Sequence, residues 1–195
     1  MTAEREFTPE EADRHNALTS EGWALIEGAI LQAGGGPEGA PGWLERRRLH
    51  KASRRFEQAI AIHPRGWSSL WALGKIHQRL GREREALAHF LRSHEIKPEQ
   101  PDVAREAGLS ALDCGDAELS LRLCRTAVAN APDDLGLVAN LALAHMLGGD
   151  DAEAMACATR ATEADPNDEV SATILALVRE VADGTRPRPA DLRGL

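Results

Sequence analysis

Four prolines, Pro64, Pro98, Pro132 and Pro166, stand 34 residues apart, and Gly81, Gly115 and Gly149 repeat at the same interval. Seven chain-breaking residues in one register divide the sequence into equal units. A unit of that length holds two helices of about 14 residues and two short turns. Proline cannot continue a helix interior, so each proline marks the end of a second helix. Each glycine suits the left-handed residue that closes a first helix at no steric cost. One helix pair cannot bury its own apolar face, whereas stacked pairs can. The period therefore commits the chain to an all-α solenoid of antiparallel helix pairs.

The stretch 67–100 shows how one unit is filled. Leu70, Leu73, Gly74 and His77 recur at helical spacing before Gly81, and Ala86, Phe90 and Ser93 do so before Pro98. Small residues at Gly74, Ala86 and Ala127 let helix axes approach, while Leu73, Phe90 and Leu141 fill the space between them. Asp116 and Asp150 directly follow turn glycines, where a carboxylate caps the second helix and meets its positive dipole end.

These residues resemble the tetratricopeptide-repeat family. In 67–100, L-x2-L-G-x2-H…A-x3-F…P stands against the family pattern W-x2-L-G-x2-Y…A-x3-F…P, with Leu70 for the usual Trp and His77 for the usual Tyr. Residues 101–134 keep Gly108, Gly115, Ala127 and Pro132, with Ser120 and Cys124 where Ala and Phe are commoner. Residues 135–168 keep Leu141, Gly149, Ala154, Ala161 and Pro166, with Ala142 in place of Gly. The resemblance implies an all-α, right-handed, TPR-like α-solenoid of antiparallel helix pairs, with one degenerate and three regular repeats and a C-terminal capping helix. It also implies a binding rather than a catalytic role, although such repeats serve unrelated processes.

The remaining segments complete the layout. Residues 1–20 read as an N-terminal helical arm, opened by a capping box in Thr8-Pro9-Glu10-Glu11. Residues 21–66 read as the degenerate repeat, with Gly28 at the close-packing place, Gly35 at the turn and Ala52, Phe56, Ala59 and Pro64 in register. That span has 46 residues, twelve more than the period, and 36–47 (GPEGAPGWLERR) is the insertion. Its Gly/Pro-rich half is a loop, and the half from Trp43 lengthens the following helix. Repeats 67–100, 101–134 and 135–168 follow, the solenoid ending in a capping helix over 169–183. The Pro/Arg-rich tail 184–195 reads as extended or disordered, either a solvated end or a proline-motif ligand for another protein.

Charge is unevenly spread. Residues 43–98 hold 13 basic and 5 acidic side chains, and residues 99–183 hold 5 basic and 17 acidic ones. Around Arg46, Arg47, Arg48, Lys51, Arg54 and Arg55 the core-facing places belong to Leu49, Ala52, Phe56, Ala59 and Ile60, which leaves the arginines on a solvated face. Without interleaved aromatics and beside so acidic a neighbour, nucleic acid is not expected as a partner. No apolar run approaches the ~18 residues of a membrane span, so no membrane is expected either. Cys114, Cys124 and Cys157 lack C-x-x-C spacing and read as reduced packing residues, which suits a cytoplasmic protein. Only three of the 23 basic residues are lysines, a bias that GC-rich bacterial coding produces.

Nothing reads as catalytic. His77 and His145 are two periods apart and occupy a packing place, and His89 and His94 diverge on their helix. No nucleophile elbow, phosphate-cradling glycine loop or zinc spacing occurs, so no enzyme activity, cofactor or metal is expected. The expected function is a non-enzymatic protein–protein interaction module (adaptor, scaffold or chaperone-like) that holds a peptide or helix of a partner in its groove. The alternative is a structural, self-assembling homo-oligomer joined through solenoid ends or oppositely charged halves. The candidate groove comprises Trp71, Lys75, Arg105, Leu109, Leu112, Asn140, Leu143 and Met146, an apolar strip flanked by Trp71 and Arg105. An exposed apolar strip needs a cover. The tail or N-terminal helix, a second copy or a partner helix would serve, unless the strip is core between helices. The carboxylate clamp that the family is best known for is interrupted here: Lys75, Arg79, Arg105 and Asn140 are present, but Asp102 and Glu106 stand among them.

Overall fold

The computed structural model describes residues 8–27 and 39–194. The expected turn at Gly35, the close-packing place at Gly28 and the Gly/Pro-rich start of the insertion lie outside them. The described residues form helices α1 (Pro9–Ile26), α2 (Trp43–Ile62), α3 (Trp67–Arg79), α4 (Glu83–Ile96), α5 (Pro101–Asp113), α6 (Ala117–Asn130), α7 (Leu135–Gly148), α8 (Asp151–Ala164) and α9 (Glu169–Ala182), then a short 3₁₀ turn, Leu192–Gly194. No strand occurs among them. The helices pack as consecutive pairs: α1 with α2, α3 with α4, α5 with α6 and α7 with α8. They form two compact units, one ending at Ile96 and the other beginning at Lys97.

The punctuation acts as its chemistry requires. Gly81, Gly115 and Gly149 take φ of +71°, +76° and +87°, the left-handed region that a side chain resists. Asp116 accepts from the Leu119 amide at 3.0 Å, and Asp150 from that of Glu153 at 3.3 Å. Asp134 and Asp168 cap α7 and α9 in the same way. The Thr8 capping box closes, with the Glu11 amide donating to Thr8 Oγ1 at 3.2 Å and the Thr8 amide to Glu11 Oε2 at 3.1 Å. Each repeat proline follows the last residue of its helix by two.

Within each pair the axes are set by one small residue under one larger side chain. A Cβ on Gly74 would come within 2.5 Å of the Phe90 ring, and one on Gly108 within 2.8 Å of Cys124 Sγ. The equivalent places in the next repeat, Ala142 and Ala158, are both fully buried. Where the floor is glycine the opposite residue is Phe or Cys, and where the floor is alanine it is alanine, so the floor is small in every repeat while the residue opposite varies.

The same contact fixes the register of the first repeat. A Cβ on Gly22 would come within 2.7 Å of the Phe56 ring, so Gly22 is the small residue beneath α2. Gly22 and Gly74 are 52 residues apart, so by this register the first repeat carries 18 extra residues where Gly28 would give twelve. α1 runs unbroken through the boundary expected at 20–21, so the N-terminal arm and the first repeat's inner helix are one helix. α2 starts at Trp43, as the extended second half of the insertion predicts.

The tail is ordered against the second unit, contrary to a solvated end. Its Arg188 places Nη1 and Nη2 at 2.8 and 2.9 Å from the Asp151 carboxylate and also donates to the Met146 carbonyl. Leu192 packs on the core of that unit.

Phe90 is fully buried and fills the space above Gly74. Phe90→Ala is expected to destabilise the fold by ~3–5 kcal/mol through the cavity it leaves, as urea titration followed by circular dichroism would show.

Candidate functional site

In the first unit, Trp23 of α1 and Trp71 of α3 lie side by side with ring centroids 6.1 Å apart. Trp23 also meets the Phe56 ring edge-on at 5.3 Å, which anchors the pair to the core. The Lys75 ammonium stands 5.9 Å over the Trp71 ring, one helical turn along. Both tryptophans and Lys75 are half-buried, and the Trp71 indole N–H has no hydrogen-bond partner among the described residues. This is an aromatic and cationic surface whose indole N–H, on Trp71, is itself buried. Trp71 and Lys75 are sequence-predicted groove residues that the structure brings together, whereas Trp23 was not among them, because the insertion shifts the register of α1.

On the opposite side of that unit, Trp43, Arg47, Lys51, Arg54 and Gln58 recur every three or four residues on the outer face of α2. Trp43 is 71% exposed, with the Arg47 guanidinium 5.8 Å from its ring centroid. Among the described residues no carboxylate pairs with Arg47, Lys51 or Arg54, whereas Arg55 pairs with Glu21 and Arg79 with Glu45. The sequence-predicted solvated cationic face is therefore present.

In the second unit the candidate residues divide by burial. Arg105, Leu109 and Asn140 are half-buried and reach solvent. Leu112 and Met146 are fully buried, and Leu143 is 7% exposed. These three belong to the core that α7 shares with α8 and α9, joined by Ile174, Leu175 and Val178. They support the surface from beneath and do not present an open strip. Helical periodicity could not separate these roles, because α7 (LGLVANLALAHMLG) is apolar around its circumference and a helix of that kind is buried on all sides.

The two arginines that a carboxylate clamp would use are engaged by carboxylates. Arg105 lies 2.9 Å from Asp102 and 3.4 Å from Glu106, and Arg79 donates to both Glu45 oxygens at 2.7 and 3.1 Å. The histidines pack. His77 stacks on His89 across α3 and α4, centroids 5.1 Å apart, and His145 is buried beside Asp150. Burial, then the Arg82 charge, holds the His77 pKa below its ordinary value; burial, then His77, pushes His89 down to about 4. Burial raises the Cys124 thiol to about 11 and also raises Cys157, so neither offers a ready thiolate. No group of three or more metal-ligating side chains occurs among the described residues, and no described helix is long and apolar enough to cross a membrane.

A tetratricopeptide-repeat model matches residues 44–101 and 105–169. The chain belongs to the tetratricopeptide-repeat family, whose fold serves protein–protein interaction. Among solved structures it is similar to MamA from Desulfovibrio magneticus RS-1, at 16% identity and a TM-score of 0.72 over 88% of this chain and 86% of that one. It is also similar to YrrB, described as a TPR protein with an unusual peptide-binding site, at 17% identity and 0.63 over 76% and 75%. A tetratricopeptide-repeat protein from Parabacteroides merdae matches at 13% and 0.70 over 88% and 61%. Likeness at such identity shows the fold alone. No curated protein matches in sequence.

Two outcomes follow. Leu143→Arg would bury a charge without a partner and should lower the melting temperature steeply, at a cost of several kcal/mol, roughly 3 or more; a near-native melt would place Leu143 at the surface. The second concerns pH. The unfolded imidazoles of His77 and His89 bind protons near 6.5 and the folded ones only at lower pH, so the unfolded chain holds more protons in between. Stability should therefore be independent of this pair above pH 6.5 and fall as pH drops towards about 4. Urea midpoints across that range should decline in the native chain, and less so in a His77→Phe, His89→Phe variant.

Proposed function

We propose that the chain is a non-enzymatic protein–protein interaction module that takes a peptide or helical segment of a partner on the inner helices of its repeats. The observation that carries this reading is the Trp23, Trp71 and Lys75 surface of the first unit. Tryptophan is enriched among residues that dominate binding energy, and here Trp23 is braced by Phe56 and lies beside Trp71, both half-buried and still reaching solvent. Lys75, over the Trp71 ring, favours an acidic or carbonyl-rich segment. Arg105, Leu109 and Asn140 give the second unit a smaller mixed surface of its own. YrrB, a relative by fold, is described as peptide-binding, which is in keeping with this use of the repeats.

The outer face of α2 supports a second reading. Its Arg47, Lys51 and Arg54, without a carboxylate partner among the described residues, are opposite in sign to the excess of carboxylates over 99–183, 17 acidic against 5 basic residues. Two copies would attract each other through those opposite charges, which gives salt-sensitive homo-oligomers.

Selection of peptides from a random display library against the full chain tests the first reading. Selected peptides should bind with micromolar Kd and quench tryptophan emission. Trp71→Ala should weaken them at least about tenfold while circular dichroism is unchanged. If every selected peptide binds Trp71→Ala as it binds the native chain, the inner-face reading fails. Size exclusion with light scattering at low and high salt checks the second, since a monomer at low salt would remove it.

A further inference from the structure

The tail crosses the ends of two successive inner helices and places an arginine at each. Arg188 donates to the Met146 carbonyl in the last turn of α7, and Arg193 Nη2 lies 3.4 Å from the carbonyl of Asp113, the last residue of α5. Helix C-termini carry unsatisfied carbonyls and the negative end of the dipole, so each is a natural cation site. Arg188 also forks onto Asp151, at the start of α8, which gives it a bidentate anionic partner. The Arg188 side chain holds the Asp151 carboxyl below its ordinary range. Between the two arginines, the Ala190 carbonyl passes over Gly115, and Leu192 packs on the core of the second unit.

The spacing matches the repeat. Packed inner helices lie about 10 Å apart, and five residues of extended chain reach about 16 Å. The segment Arg-Pro-x-x-Leu-Arg, residues 188–193, thus has length to span neighbouring helix ends with a residue or two of slack. A tail held by this means resembles a bound peptide more than a structural element. It has no regular structure until its final turn, and one leucine is its chief apolar anchor. Its main ion pair is about one-third exposed on both sides, and ion pairs so exposed hold weakly.

We propose that the ends of α5 and α7 and the start of α8 form a peptide site, occupied in cis by residues 186–194, whose partner is an extended segment bearing arginine, then leucine and arginine four and five residues on. The acidic second unit favours such a cationic ligand, in contrast to the acidic ligands of a carboxylate clamp. The resident tail competes at an effective concentration on the order of millimolar, so it acts as a gate that only a well-matched or locally concentrated partner opens. This site lies in the second unit and does not depend on the Trp23 and Trp71 surface.

The test opens the site within the full chain by Arg188→Glu with Leu192→Asp. The probe is a fluorescent peptide of residues 185–194, TRPRPADLRG, followed by anisotropy. The opened variant should bind it saturably, the native chain at least about tenfold more weakly, and Asp151→Asn added to the opened variant should remove the binding. No saturable binding to the opened variant, or equal binding to the native chain, overturns the proposal. Should the opened variant lose helicity, amide exchange of the native chain decides instead. Tail amides that exchange far faster than those of α7 and α9 support a displaceable occupant, and equal protection overturns it. A dimer of the native chain held by exchanged tails would also overturn it, in favour of a second copy as partner.

Discussion

The packing of a small residue on each inner helix beneath a larger one on the outer helix is the contact on which the rest of the structure depends. It brings the two axes together closely enough for the leucines on either side to interdigitate. Gly22 with Phe56, Gly74 with Phe90, Gly108 with Cys124 and Ala142 with Ala158 are four versions of one joint. Because the joint asks for a small residue on the inner helix and accepts Phe, Cys or Ala opposite, the repeats keep a common geometry without keeping a common sequence. This accounts for how a chain sharing 12–17% identity with solved relatives can share their fold.

What was legible in the sequence is whatever the period repeats. The turn glycines, the aspartate caps and the helix-ending prolines each act locally and recur every 34 residues, so spacing alone revealed them. The place of α1 was obscured because the insertion lies inside the first repeat and no second copy of that register exists for comparison. Glycines at both 22 and 28 suit the packing place by composition, and only the Phe56 ring selects between them. On α7 the trouble was different. A helix that is apolar on every side gives no phase from which to read an outward face, so Leu143 and Met146 were indistinguishable from surface residues.

The tail was illegible for a third reason. Its partners are two backbone carbonyls and one carboxylate 37 residues away, and carbonyls have no letter in a sequence. Three arginines among prolines read as a solvated end by composition. The signal available was the five-residue interval between Arg188 and Arg193, which has meaning only once the separation of neighbouring inner helices is known.

The place of α1 has a consequence for how the first unit holds together. α1 is the first helix of its unit and packs chiefly on α2. Its undocking would uncover Phe56 and part Trp23 from Trp71 while α3 stays paired with α4. Undocking of one helix, well short of global unfolding, would thus dismantle the aromatic surface as a whole.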